Sequence, residues 1–173
     1  MSKIVLSLGL IAGSILAVML GLSLVFMDGY ISEQAMNYGE IIGYATMIIA
    51  LSLVYVGIKS FRDKHQGGRI SFMEAFKVGM LNTIVASVIY VISWMLLSNW
   101  LAPDFMHRYA EFTLKAMEEK GADAGEIAET KATMDRYIEM YQNPLIKAGM
   151  TFMEVFPVGL IISLVSAFIL KKK

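Results

Sequence analysis

Thr151 to Gly159 reads Thr-Phe-Met-Glu-Val-Phe-Pro-Val-Gly, and Ser71 to Gly79 reads Ser-Phe-Met-Glu-Ala-Phe-Lys-Val-Gly. Phe, Met, Glu, Phe, Val and Gly recur in one register, 80 residues apart. Each copy leads into, or begins, a long apolar run, and the register persists into Val85 and Val165. Six identities in nine, Glu and Gly among them, exceed what shared apolar bias gives. The pair therefore predicts an internal duplication that carries the entries to two membrane helices.

Working outward, two further runs complete the set. Ile4 to Met27 is apolar and preceded only by Lys3, long enough for the roughly 20 residues that cross a bilayer. A cleavable signal would carry a core of about 7–15 apolar residues and a small-x-small site. Neither feature stands out in this run, which therefore reads as a retained span. Ile41 to Ile58 lies between Glu40 and Lys59. Val78 to Leu101 carries Trp94 and Trp100 where an aromatic belt would sit, and Pro103 ends it. Ala148 to Leu170 stops at Lys171, Lys172 and Lys173. The expected fold is an all-α integral membrane protein, one membrane domain with spans at about 4–27, 41–58, 78–101 and 148–170. Between the last two spans, Phe105, Tyr109 and Phe112, then Ile127, Met134, Ile138 and Tyr141, fall at helical spacing on either side of Gly121. That pattern predicts a helical insertion over about 104–143.

The sides of the membrane follow from Lys and Arg. Lys3, the five cations of residues 59–77 and the three terminal lysines share one face. The first loop has none, and the six in residues 101–147 are diluted by nine acids. Short basic loops stay in the cytoplasm, so both termini are expected inside and the insertion outside. Spans 3 and 4 would then carry the repeat in opposite senses, an inverted repeat, and Leu22–Phe26 (LSLVF) resembles Leu51–Tyr55 (LSLVY) in the first two spans. Inverted repeats build the site-bearing core of several transporter folds. Duplication without a transport role leaves the same trace.

Composition narrows the chemistry. Hydrophobic residues make up 57% of the chain and charged residues 17%, against about 25% charged in a soluble domain, and the mean hydropathy is +0.60. Net charge is zero, so no basic field draws nucleic acid. With no cysteine there is no thiolate, disulfide or iron–sulfur ligand. His65 and His107 lie far apart and outside any metal-ligand spacing. Met150 and Met153 could share a face as soft ligands, but fourteen scattered methionines read as packing filler. No nucleophile–base pair and no phosphate-binding glycine loop appears. An enzyme and a cofactor are therefore not expected. Ser87, Ser93 and Ser163 read as interhelical hydrogen-bond donors.

Two sets of residues remain. Gly9, Gly13, Ala17 and Gly21 recur every four residues, stacking small side chains on one face that another helix can approach closely. Glu154 lies about 10 Å past Lys147 along a helix, at a depth where a charge must face protein, pair or take up a proton. Pro157 cannot donate to the Met153 carbonyl, which predicts a kink or break beside Glu154. Glu40 and Tyr44, at the outer end of span 2, could reach the same level. Glu154 with Glu40 would form a protonatable or cation-binding site. Alternatively, Glu154 pairs with a neighbouring helix, Lys147 or Arg108 and only fixes packing.

Gly39–Ile49 (GEIIGYATMII), Val56–Gly79 (VGIKSFRDKHQGGRISFMEAFKVG), Ala102–Phe105 (APDF) and Thr151–Leu170 (TFMEVFPVGLIISLVSAFIL) together resemble domain-of-unknown-function family 4199. The resemblance implies a four-span bacterial membrane protein and carries over no functional residues. The expectation is a non-enzymatic accessory or scaffold protein of the inner membrane, partnered by the lipid bilayer and by copies of itself or another membrane protein. The alternative is a small oligomeric transporter or ion-translocating subunit that uses Glu154.

Overall fold

The computed structural model describes residues 3–27 and 33–172; the side chains of Ile4, Phe26, Met27 and residues 33–40 lie outside that description. Among these residues seven helices follow in order: α1 (Lys3–Met27), α2 (Glu33–Leu51), α3 (Leu53–His65), α4 (Phe72–Leu101), α5 (Phe105–Glu119), α6 (Ala124–Tyr141) and α7 (Pro144–Leu170). Among the described residues there is no strand, only a single bridge between Ile70 and Lys172. Among the described residues, four segments are long and apolar enough to cross a membrane: Val5–Val25, Ile41–His65, Phe72–Leu101 and Pro144–Leu170. Only 28% to 33% of each apolar stretch is buried within the chain, so most of its apolar surface faces outward. That is the surface a bilayer covers, and the chain reads as a multi-pass membrane protein.

The helix starts are set by local polar groups. At α4 the Ser71 hydroxyl accepts from the Glu74 amide at 3.3 Å and the Glu74 carboxylate accepts from the Ser71 amide at 3.2 Å, a capping box. The helix thus begins at Phe72, one and a half turns before the apolar run that starts at Val78. At α7 the Asn143 side chain accepts from the Leu145 amide at 3.0 Å and Pro144 occupies the first turn, where its missing N–H costs nothing. The second apolar segment is divided at Ser52, whose hydroxyl turns back to the Ile49 carbonyl at 2.6 Å. The helix then resumes and runs past Lys59 to His65.

α4 is the centre of the bundle and packs most extensively against α1 and α7. α4 and α7 run antiparallel. At the end holding the described chain ends, Ala75 and Val78 cluster with Ala167 and Leu170; further along, Ala86 and Tyr90 cluster with Val155. On α1, a Cβ placed at Gly9 would lie 3.0 Å from Val85 Cβ, and one at Gly13 would lie 2.7 Å from Ile89 Cδ1. Gly21 faces Leu97 at an ordinary 3.6 Å, and Ala17 is half-buried. The small-residue face of α1 is therefore tight where it crosses α4 and loosens towards Gly21.

α5 and α6 form a hairpin at the opposite end from the chain ends. Gly121, at φ +75, makes the turn in the left-handed region that glycine adopts without strain. Asp123 then caps α6, accepting from Gly125 and Glu126 amides at 2.7 and 2.9 Å.

Candidate functional site

The two repeat copies meet at the α4–α7 crossing. Gly79 and Thr83 lie one turn apart on α4, and Gly159 and Ser163 lie one turn apart on α7. A Cβ at Gly79 would lie 3.0 Å from Ser163 Cβ; one at Gly159 would lie 2.3 Å from Thr83 Cγ2. Each glycine thus receives the hydroxyl residue that follows the other glycine. Exchanging every residue for its counterpart 80 positions away maps the first contact onto the second. Thr83 Oγ1 lies 3.0 Å from Ser163 Oγ and donates to the Gly159 carbonyl at 3.2 Å. The match extends along both helices: Ala75, Gly79, Thr83, Ala86, Ser87 and Tyr90 are buried on α4, and so are Val155, Gly159, Ser163, Ser166, Ala167 and Leu170 on α7. Phe72 and Phe76 stack at 6.2 Å, as Phe152 and Phe156 do at 4.8 Å.

The Leu22–Phe26 and Leu51–Tyr55 likeness does not share this register. Leu24 clusters with Trp94 near the hairpin, whereas Leu51 clusters with Tyr90 and Val155 nearer the middle. The two stretches sit at different depths.

Beside the crossing, Asn82 is buried and donates through Nδ2 to the Val78 carbonyl at 3.2 Å. It is seated against Gly57 of α3, where a Cβ would approach Nδ2 to 2.7 Å. Of the three serines expected to bridge helices, only Ser163 does so. Ser93 donates within its own helix to Ile89 at 2.8 Å, and Ser87 Oγ has no hydrogen-bond partner.

Glu154 stands ten residues into α7, about 15 Å along the helix. Of the kink or break expected at Pro157, a break is not present: α7 is continuous through it. Proline removes one hydrogen bond, to the Met153 carbonyl, and the turns on either side hold the helix. Glu154 is exposed, on a face it shares with Met150, Ile161 and Val165, themselves exposed. Neither of its expected cationic partners reaches it: Lys147 donates to Asn99 Oδ1 at 3.3 Å and lies 5.1 Å from the Tyr141 ring centroid, while Arg108 pairs with Asp104 at 2.6 Å. Tyr44 is exposed on α2. The Glu40 side chain lies outside the described residues.

The hairpin is fastened where these groups end. Trp94 Nε1 donates to the Tyr141 hydroxyl at 2.5 Å, and Phe105 packs edge-on against Trp94 at 5.0 Å. With Lys147 against Tyr141, four helices meet here. Burial pushes the Tyr141 phenol up to about 12; the Trp94 hydrogen bond opposes the rise and the Glu154 charge adds to it. Among the described residues, no group of three or more His, Asp or Glu side chains converges as a metal site would require. His65 ends α3 and His107 lies in α5, both exposed. Thr83, Tyr90 and Asn99 were not singled out by sequence. The signal for Thr83 was present in the Gly-x-x-x-Thr and Gly-x-x-x-Ser spacing that follows each Val-Gly pair.

The chain matches, over residues 7–172, the family model described as "Protein of unknown function (DUF4199)". No curated protein and no solved structure matches it. Since the matched stretch covers nearly the whole chain, the protein belongs to the DUF4199 family.

Proposed function

We propose that the protein is a non-enzymatic accessory or assembly subunit of the bacterial inner membrane. Both termini lie in the cytoplasm, and the α5–α6 hairpin, outside, meets a partner that is another membrane protein or a further copy of the chain. The observation that carries this reading is the state of α6. No residue of that helix is buried, and Tyr137 and Met140 are exposed, yet its end is fastened to the bundle through Tyr141 and Trp94. A helix held in place but not covered is available to a second protein.

Gentle extraction of natively expressed protein, followed by mass measurement of the intact complex, tests this. A stoichiometric partner or a defined oligomer that is lost on Tyr137→Ser/Met140→Ser supports the reading; a monomer with no partner overturns it. The cysteine-free chain also allows a direct test of orientation. A single cysteine at Gly125 should react with an impermeant maleimide from outside, and one at Lys173 should not.

We also read spans 3 and 4 as inverted-repeat copies, on the strength of the reciprocal Gly79–Ser163 and Gly159–Thr83 contacts. That geometry, with an unpaired carboxylate at Glu154, favours a second reading as a small ion-translocating subunit. Reconstituted protein that carries no proton or cation under an imposed gradient would remove it.

A further inference from the structure

The bundle end that holds the described chain ends also holds an assembled group of cations. Lys59 and Arg62 lie on α3, Arg69 in the loop that follows, and Lys171 and Lys172 just beyond α7. They are brought together by the backbone. The Ile70 amide donates to the Lys172 carbonyl at 3.0 Å, and the Lys172 amide donates to the Ile70 carbonyl at 2.9 Å. Arg62 adds a second tie, with Nη1 donating to the Leu170 carbonyl at 3.4 Å. Asp63 takes the Arg62 Nε hydrogen bond at 2.7 Å, and the charges of Lys59 and Lys172 also act on it. Three of the five cations, Arg62, Lys59 and Lys172, act on Asp63, and five positive charges against that carboxylate leave the group net positive.

Directly below, the surface changes character. Lys171 Nζ sits 4.0 Å from the Phe168 ring centroid, and Phe168 and Ile169 are 63% and 62% exposed. From there the outward face of α7 continues through exposed Val165 and Ile161. A fixed cationic cluster above a long outward apolar face has the polarity of a phospholipid, phosphate at one end and acyl chains at the other. A free phosphate would use only the upper half.

We propose that Lys59, Arg62, Arg69, Lys171 and Lys172, gathered by the Ile70–Lys172 bridge, bind the headgroup phosphate of an anionic phospholipid whose chains lie along Phe168 and Val165. The net positive charge selects against a zwitterionic headgroup, whose own ammonium it repels. Arg62 uses Nε and Nη1 within the chain, which leaves the donors of Nη2 for a phosphate oxygen.

The test is a titration of the full-length protein in neutral detergent with short-chain phosphatidylglycerol, chain-matched phosphatidylcholine, or glycerol phosphate, read by native mass spectrometry. Phosphatidylglycerol should bind in preference to phosphatidylcholine. K171Q/K172Q should weaken its binding by about 30-fold, while K171R/K172R, which keeps both charges, should retain it. K120Q/K131Q, an equal charge change on the hairpin, should leave it unaltered. Equal binding of the two lipids would overturn the proposal, as would an equal loss in K120Q/K131Q. Glycerol phosphate binding as well as the lipid would show a soluble-anion site instead.

Discussion

Gly159→Ala is the sharpest test of the α4–α7 crossing. The added methyl would lie 2.3 Å from Thr83 Cγ2 and 2.8 Å from Thr83 Oγ1, more than 1 Å inside ordinary contact. Thr83 is fully buried and stiff about χ1, and its hydroxyl is committed to Gly159 and Ser163. Overpacking of this kind costs about 1–3 kcal/mol. Pulling Thr83 away from its two hydrogen bonds adds about 0.6 kcal/mol each. Alanine returns about 1 kcal/mol through helix propensity. The balance is a loss of roughly 1–3 kcal/mol, against a smaller effect for Gly79→Ala, whose methyl would meet Ser163 at 3.0 Å. Unfolding free energies of the purified protein in mixed micelles would measure both. Thr83→Ala removes the two closest atoms, so the double variant Gly159→Ala/Thr83→Ala should be more stable than the two single losses add up to. A Gly159→Ala protein as stable as the parent, or no rescue by Thr83→Ala, would refute the packing argument.

Trp94→Phe leaves the Tyr141 hydroxyl without its donor and should cost about 1 kcal/mol, read as faster hydrogen exchange in α6 and the start of α7 but not in α1. Gly13→Leu should weaken the α1–α4 contact, because Ile89 already lies within 2.7 Å of the added Cβ. Gly21→Ala, with 3.6 Å of room, should be neutral or stabilising by up to about 1 kcal/mol; the two unfolding free energies should therefore move in opposite directions from the parent, or at least only Gly13→Leu should fall. The Tyr141 phenol, raised to about 12 by burial, ionises later in the folded protein than in the unfolded chain. Its contribution to stability is full below the ordinary tyrosine pKa of about 10 and is lost as pH rises towards 12. Phenolate absorbance should show a late-titrating amplitude that Tyr141→Phe reduces by one tyrosine. Glu154→Gln should preserve the fold, since the carboxylate has no partner to lose; failure to recover folded protein would reveal a structural pair instead.

The four apolar segments and the hairpin were legible because their signals are local: run length, proline and glycine punctuation, and 3.6-residue spacing. The Gly-x-x-x-Gly ladder on α1 was legible too, though not that its tight part is Gly9 and Gly13 only. Less legible was anything set by capping or by partner choice. Glu74 looks like the twin of Glu154, but Ser71 three residues before it turns the first into a helix cap. Lys147 looked available to Glu154 on distance along the chain. Only the fold brings Asn99 and the Tyr141 ring to it from α4 and α6, and with them a buried place for the ammonium that pairing with Glu154 would not supply. Pro157 reads as a break in one dimension; with thirteen helical residues on each side, a single missing hydrogen bond is too small a loss to interrupt the helix.

The repeat therefore separates into two parts with different physical roles. The Val-Gly pairs, the hydroxyl residues one turn later and the matched buried positions all lie on the contact between α4 and α7, and there the copies are interchangeable. Contact of this kind constrains both copies together, because each glycine can only be as small as the other copy's Thr or Ser requires. The Phe-Met-Glu portion lies at the capped start of one helix and within the other. There nothing ties the copies to each other, and Glu74 and Glu154 are free to differ. If the bundle acts by association, Glu154 marks the outward apolar face of α7 as the one where a partner would have to answer a charge. Ile161, on the same face, would then be covered in the assembly, whereas Val165 and Phe168 would remain with lipid.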